Sequence, residues 1–184
     1  MMVRGDYEQA SGWFTKALEL WREAASVSEI AWSSRQLGLV AWKTGNPDKA
    51  EKLLRESIRL LAPMQERGTL CESQRYLAQL LLDQGRVDEA EKYALAARET
   101  VSAEDIVSRA TTRVAMAQVR AAQRRYDEAE SLFNEALEIV SGGEHCRILL
   151  DVLPPYAEFL RSLERDAEAA EVDARLAERV PTAA

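Results

Sequence analysis

The chain has 184 residues, of which 47% are apolar and 30% charged, with a formal net charge of −7. That apolar content supports a continuous core and excludes a disordered chain, while 31 acidic against 24 basic residues oppose attraction to nucleic acid or anionic lipid and fit a cytoplasmic protein. No apolar run approaches the roughly 18 residues of a membrane helix, Met1 to Asp6 carries no apolar signal core, and Cys71 and Cys146 form no C-x-x-C pair and are too few for a secreted disulfide framework.

The elements follow from a signature in which a small or flexible residue precedes, by five positions, an alanine that opens an amphipathic run. Its copies are Gly5-Asp6-Tyr7-Glu8-Gln9-Ala10, Gly45-Asn46-Pro47-Asp48-Lys49-Ala50, Gly85-Arg86-Val87-Asp88-Glu89-Ala90, Arg124-Arg125-Tyr126-Asp127-Glu128-Ala129 and Glu164-Arg165-Asp166-Ala167-Glu168-Ala169. The alanines lie 40, 40, 39 and 40 residues apart, a period that marks a solenoid whose units bury their apolar faces on one another. Apolar residues between the copies recur at i, i+3, i+4 and i+7, as in Ala50, Leu53, Leu54 and Ile58, which is a helix face and not a strand alternation.

In chain order, a lone helix over Asp6 to Ala24 comes first, carrying Tyr7, Trp13, Phe14, Leu18, Leu20 and Trp21. These are more large apolar groups than one neighbouring helix covers, and each left in water forgoes roughly 1.5–3 kcal/mol. Self-association through Trp13, Phe14 and Trp21, giving a homodimer, is therefore expected, against the alternative that the aromatics fold onto Val27 to Thr44. Helix pairs follow at Val27 to Thr44 with Pro47 to Leu61, Leu70 to Gln84 with Val87 to Val101, Ala103 to Gln123 with Tyr126 to Ser141, and Glu144 to Leu163 with Ala167 to Arg179. The whole of 1–184 reads as a single array joined by short αα-hairpins.

Gly45 and Gly85 stand where a left-handed residue ends a helix, Pro47 suits a first turn, and Ser102-Ala103-Glu104-Asp105 offers an N-cap with acidic neighbours. Ser141-Gly142-Gly143 is a break. Pro154-Pro155 falls inside the last A helix and predicts a kink or two shorter helices there.

These residues resemble the tetratricopeptide repeat (TPR), through Gly5, Asp6, Tyr7, Ala10, Phe14 and Ala17; Leu37, Gly38, Gly45, Asn46 and Ala50; Leu77, Ala78, Gly85, Ala90 and Ala97; and Met116, Ala117, Tyr126, Ala129, Phe133 and Ala136. A fifth copy matches weakly through Tyr156, Ala157 and Ala169. The resemblance covers nearly the whole chain and implies an all-α, right-handed superhelix of antiparallel helix pairs. The long period is similar to that of C-terminal regions of bacterial multi-domain signalling proteins, and the start of the first copy at its turn implies a fragment of a longer protein or a shortened start.

The same resemblance implies a concave groove lined by the A helices, with Trp32, Arg35, Leu39, Trp42 and Lys43, then Glu72, Arg75, Gln79, Leu82 and Asp83, then Thr111, Val114, Gln118 and Ala121. Trp and Arg supply much of the energy at protein interfaces, so the implied partner is a protein or peptide, against the alternative that Trp32 and Trp42 are core residues between repeats. The lysine and asparagine clamp that some family members close on C-terminal carboxylates is absent, because its positions hold Arg35 and Leu39.

Nothing points to catalysis or to a cofactor. His145 is the only histidine, so no histidine metal cluster forms within one chain, and Glu144-His145-Cys146 reads as a helix start. Asp88-Glu89 and Asp127-Glu128 sit in first turns that favour negative charge, Glu51 with Arg55 is an i,i+4 pair on a solvated face, and no phosphate-binding glycine loop is present. The expected role is a non-enzymatic scaffold or regulatory module contacting another protein, with a peptide- or metabolite-sensing groove as the alternative.

Overall fold

The structure, a computed structural model, describes residues 4–141 and 146–179, and every regular element among them is an α-helix. These are α1 (Arg4–Glu23), α2 (Val27–Lys43), α3 (Pro47–Leu61), α4 (Arg67–Asp83), α5 (Val87–Thr100), α6 (Ile106–Ala122), α7 (Tyr126–Ser141), α8 (Cys146–Ser162) and α9 (Asp166–Arg179). Consecutive helices pack as pairs, α2 with α3, α4 with α5, α6 with α7 and α8 with α9, while α1 lies on α2. The chain divides into two compact units, Met1–Thr100 and Val101–Ala184.

The turns repeat as regularly as the sequence. Gly45 and Gly85 take φ of +80° and +73°, and Ala25, Arg124 and Glu164 take φ of +52°, +60° and +60° in the corresponding places. At each, the left-handed residue bonds back to one carbonyl and the next amide to an earlier one, as Gly45 does to Trp42 at 3.0 Å and Asn46 to Ala41 at 2.8 Å. Asn46 then caps α3 by accepting from the Lys49 amide, and Pro47 opens the helix where no donor is needed.

Four boundaries differ from expectation. Gly5-Asp6, expected as a turn, lies in the first turn of α1. α4 begins at Arg67, whose guanidinium donates to the Thr100 and Glu99 carbonyls at 2.8 and 2.9 Å and satisfies acceptors at the end of α5. α6 begins at Ile106 with Asp105 as its cap, accepting from the Ser108 amide at 2.9 Å, while the Ser102 hydroxyl turns to Glu104. α8 runs through Pro154 and Pro155 as one helix. The carbonyls that lose their donors there belong to Leu150 and Asp151, both exposed, so water is available to them.

Small residues set the packing distance. A Cβ on Gly38 would come within 3.1 Å of Leu54 Cγ and 3.4 Å of the Ala50 carbonyl, so α2 and α3 meet closely and even a methyl group there would press on Leu54. In the second unit Phe133 fills the corresponding site opposite Ala117, stacking on Tyr156 at 5.0 Å between centroids and meeting Phe159 at 5.3 Å. Cys71 is buried, with its thiol donating to the Ala97 carbonyl at 3.3 Å; the Cys146 side chain lies outside the described residues. None of the described helices is long and apolar enough to cross a membrane.

Candidate interaction site

The 40-residue register places Arg35 and Arg75 at equivalent points of α2 and α4, and both are buried, at 7% and 8% exposure. Arg35 pairs with Glu72 at 2.7 Å and so ties α2 to α4. The Trp42 indole donates to Asp83 at 3.0 Å and makes a second tie, with the Lys43 ammonium 5.1 Å from the Trp42 ring centroid. Arg75 lies 3.9 Å from the Tyr76 ring centroid and donates to Gln79, but has no ion-pair partner among the described residues. The Nε donors of Arg35 and Arg75 are both buried without an acceptor. Of two buried guanidiniums only that of Arg35 thus has a carboxylate, which leaves this face locally positive in an acidic chain. Leu39 and Leu82, on the same two helices, are half-buried.

The remaining groove candidates fall elsewhere. Trp32 meets the edge of Phe14 at 5.6 Å and 75°, so it fastens α1 to α2. Val114 and Thr111 are buried in the second unit, Val114 in its apolar core and Thr111 with its hydroxyl on the Val107 carbonyl, and neither reaches a surface. Gln118 is half-buried on α6 and Ala121 packs against the same core. Of the residues expected to self-associate, Phe14 is half-buried against Trp32, whereas Trp13 and Trp21 remain exposed. Glu144 and His145 lie outside the described residues, and among those described no cluster of His, Cys, Asp or Glu is arranged to hold a metal.

A second feature escaped the reading of single residues. Arg86 donates to Glu89 in its own helix pair and, at 2.7 Å, to Glu51 of the preceding one; Arg165 does the same with Glu168 and Glu130. Glu51 and Arg55 are therefore not an isolated surface pair but part of a network that extends to Glu89 and Tyr93. The hydrogen bond from Arg86 holds the Glu51 carboxyl below the ordinary carboxylate value, and the one from Arg165 does so for Glu130. In both cases desolvation opposes the shift.

One junction lacks this clamp. Moving the triad Glu51, Arg86 and Glu89 back by 40 residues gives Ser11, Asn46 and Lys49. All three line a cavity of about 500 Å³, together with Tyr7, Glu8, Leu37, Val40, Ala41, Lys43 and Thr44. Of the expected groove residues, Lys43 alone lies on it.

The profile of the MalT-like TPR region matches residues 1–177. Among curated proteins no sequence matches the chain. Solved structures share its fold. BtubC (BKLC) from P. vanneervenii is 22% identical with a TM-score of 0.70, over 95% of this chain and 74% of that one. The apo form of RapI is 16% identical with a TM-score of 0.73, over 95% and 62%. The nearly identical TPR-like repeats of a putative kinesin light chain of Podosopora anserina are 20% identical with a TM-score of 0.63, over 95% and 87%.

Proposed function

The chain belongs to the MalT-like TPR region family, and from that membership we propose that it is a non-enzymatic, cytoplasmic interaction module of a bacterial regulatory protein that presents the inner face of α2 and α4 to an acidic protein segment. TPR modules generally act by binding proteins or peptides. The observation that carries the chemistry is Arg75, a buried cation without a carboxylate of its own. A buried charge lacking a counter-charge is costly, and a carboxylate brought by a partner removes that cost. Trp42 and Lys43 flank the approach and supply aromatic surface and further positive charge.

The test is a titration of the chain with a peptide of alternating Leu and Glu, followed by tryptophan fluorescence, beside a peptide carrying Gln in place of Glu. Binding of the acidic peptide at least tenfold tighter, with that preference lost in Arg75→Gln, supports the reading. Equal binding of both peptides, or an unchanged preference in Arg75→Gln, refutes it.

A second reading, a sensor of a small ligand, is favoured by the cavity at the first junction. Its lysines, Lys43 and Lys49, border an apolar floor of Leu37, Val40 and Ala41, which suits a small carboxylic acid with an apolar body. A library of such acids that leaves the melting temperature unchanged at millimolar concentration ends this reading.

A further inference from the structure

We infer that the cleft where the end of α1 faces α3 is a binding site for a compact phosphate-bearing anion, a phosphate monoester or a pyrophosphate. The inference stands apart from the acidic groove and from the cavity at the first junction, because none of its residues lines either.

Five side chains line this cleft of about 440 Å³, Arg22, Lys52, Arg55, Glu56 and Arg59. Four are cations and one is an anion, in a chain whose net charge is −7. The three cations of α3 share one helix face, since each follows the last by three or four residues. Glu56 already pairs with Arg22 at 3.5 Å. Arg55 is fixed in place by Glu51, Glu89 and Tyr93. Lys52 and Arg59, both exposed, have no such partner among the described residues.

The repeat register shows that this charge is particular to α3. The position of Arg59 is glutamate in every other copy, as Glu19, Glu99, Glu138 and Glu178 in α1, α5, α7 and α9. The position of Arg55 is uncharged in all four, as Thr15, Leu95, Asn134 and Ala174. Packing of the repeat therefore requires neither arginine. The attraction of a cation to a helix C-terminus does not account for them either. It acts within the last turn, Lys52 and Arg55 lie before that turn of α3, and the other copies carry the opposite charge in it.

Like charges gathered on one cleft repel one another, and an oxyanion set among them removes that repulsion. A guanidinium meets phosphate with two parallel N–H donors. A dianion also neutralises both unpartnered cations, Lys52 and Arg59, where a single carboxylate neutralises one. The rest of the lining narrows the ligand further. Among the described residues it offers no aromatic ring on which a base could stack and no apolar side chain to hold a hydrophobic tail, so the phosphate group itself is what is recognised.

The test is isothermal titration calorimetry of the full chain with sodium pyrophosphate at fixed ionic strength, beside citrate, an anion of similar charge built from carboxylates. A Kd below about 1 mM for pyrophosphate, at least tenfold tighter than for citrate and weakened at least tenfold in Arg59→Glu, supports the inference. Arg59→Glu introduces the residue type that the other copies carry, and Lys52→Ser, the residue type of α7, repeats the test at a second exposed position. Unchanged far-UV circular dichroism verifies that each variant folds. Absence of binding at about 10 mM pyrophosphate overturns the inference, as does equal binding of citrate or full affinity retained in both variants. A short single-stranded DNA that binds more tightly than pyrophosphate and is lost in the same variants also overturns it, because the cleft then follows an extended polyanion.

Discussion

Replacing Phe133 by Ala tests whether the second unit is held by the aromatic site opposite Ala117. The ring is wholly buried, stacked on Tyr156 and tilted against Phe159 at centroid distances of 5.0 and 5.3 Å. Truncation removes about 100 Å² of buried apolar surface, or about 2.5 kcal/mol at ~25 cal/mol per Å². It leaves about 100 Å³ of unfilled volume, worth about 2.4 kcal/mol at ~24 cal/mol per Å³ if nothing moves. The two neighbouring rings can lean into part of that space, so the expected loss is about 4 kcal/mol, inside the range for buried Phe→Ala changes. All four tryptophans lie in the first unit, so indole fluorescence does not report this site. The assay is amide hydrogen exchange of α7 and α8 under native conditions. Protection limited by opening of this unit should fall by nearly three powers of ten, at about 1.4 kcal/mol per tenfold. A fall of less than tenfold would refute the reasoning, since the ring could not then be the keystone of this core.

Three further outcomes follow from the geometry. Glu164→Gly, at a left-handed position with φ of +60°, should stabilise the chain by about 0.5–1 kcal/mol, because relief of the side-chain clash exceeds the added backbone entropy; a urea midpoint that falls instead would contradict this. Gly38→Leu should destabilise by about 2–3 kcal/mol in the same assay, since even a Cβ there approaches Leu54 Cγ to 3.1 Å. Arg86→Gln should lower the melting temperature, with a pH signature. The Arg86 hydrogen bond depresses the Glu51 carboxyl below its ordinary value of 4.5, so the stability it contributes is fully present above that pH and is lost as pH falls through the lower folded value. The gap between wild type and variant should be widest near neutrality and close below pH 4.5, and a gap constant across that range would rule out Glu51 as the partner that matters.

The repeat was legible because its determinants are local in sequence. A small residue at each close helix contact and an alanine opening each second helix recur at a fixed interval, and only a helix pair meets both spacings. The turns at Arg124 and Glu164 show the limit of judging by residue type. Neither residue favours a left-handed conformation, yet both adopt it, since the pairing of the flanking helices leaves that position no other geometry. Pro154 and Pro155 make the same point in reverse, where two helix breakers sit inside a helix and the carbonyls left without their donors belong to the exposed Leu150 and Asp151.

The groove and the clamp were harder to read because their partners are tertiary. From sequence Arg35 is a groove residue and Trp42 either a groove or a core residue, and only Glu72 and Asp83, each about 40 positions away, show both as ties between helices. Arg86, Arg125 and Arg165 stand in every quoted copy from the third onward, each followed three residues later by Glu89, Glu128 or Glu168. That spacing was visible, but it gains meaning only with Glu51 and Glu130, one residue past the previous alanine in the two junctions where the clamp closes. The register then yields what composition cannot. Comparing equivalent positions across copies identifies where the clamp is replaced, by Ser11, Asn46 and Lys49 around a cavity. In a repeat protein a departure from the internal pattern is a physical difference measured against the molecule's own complete units. That departure falls at the junction of the first helix pair with α1, where the cavity takes the place that charged side chains fill in the later junctions.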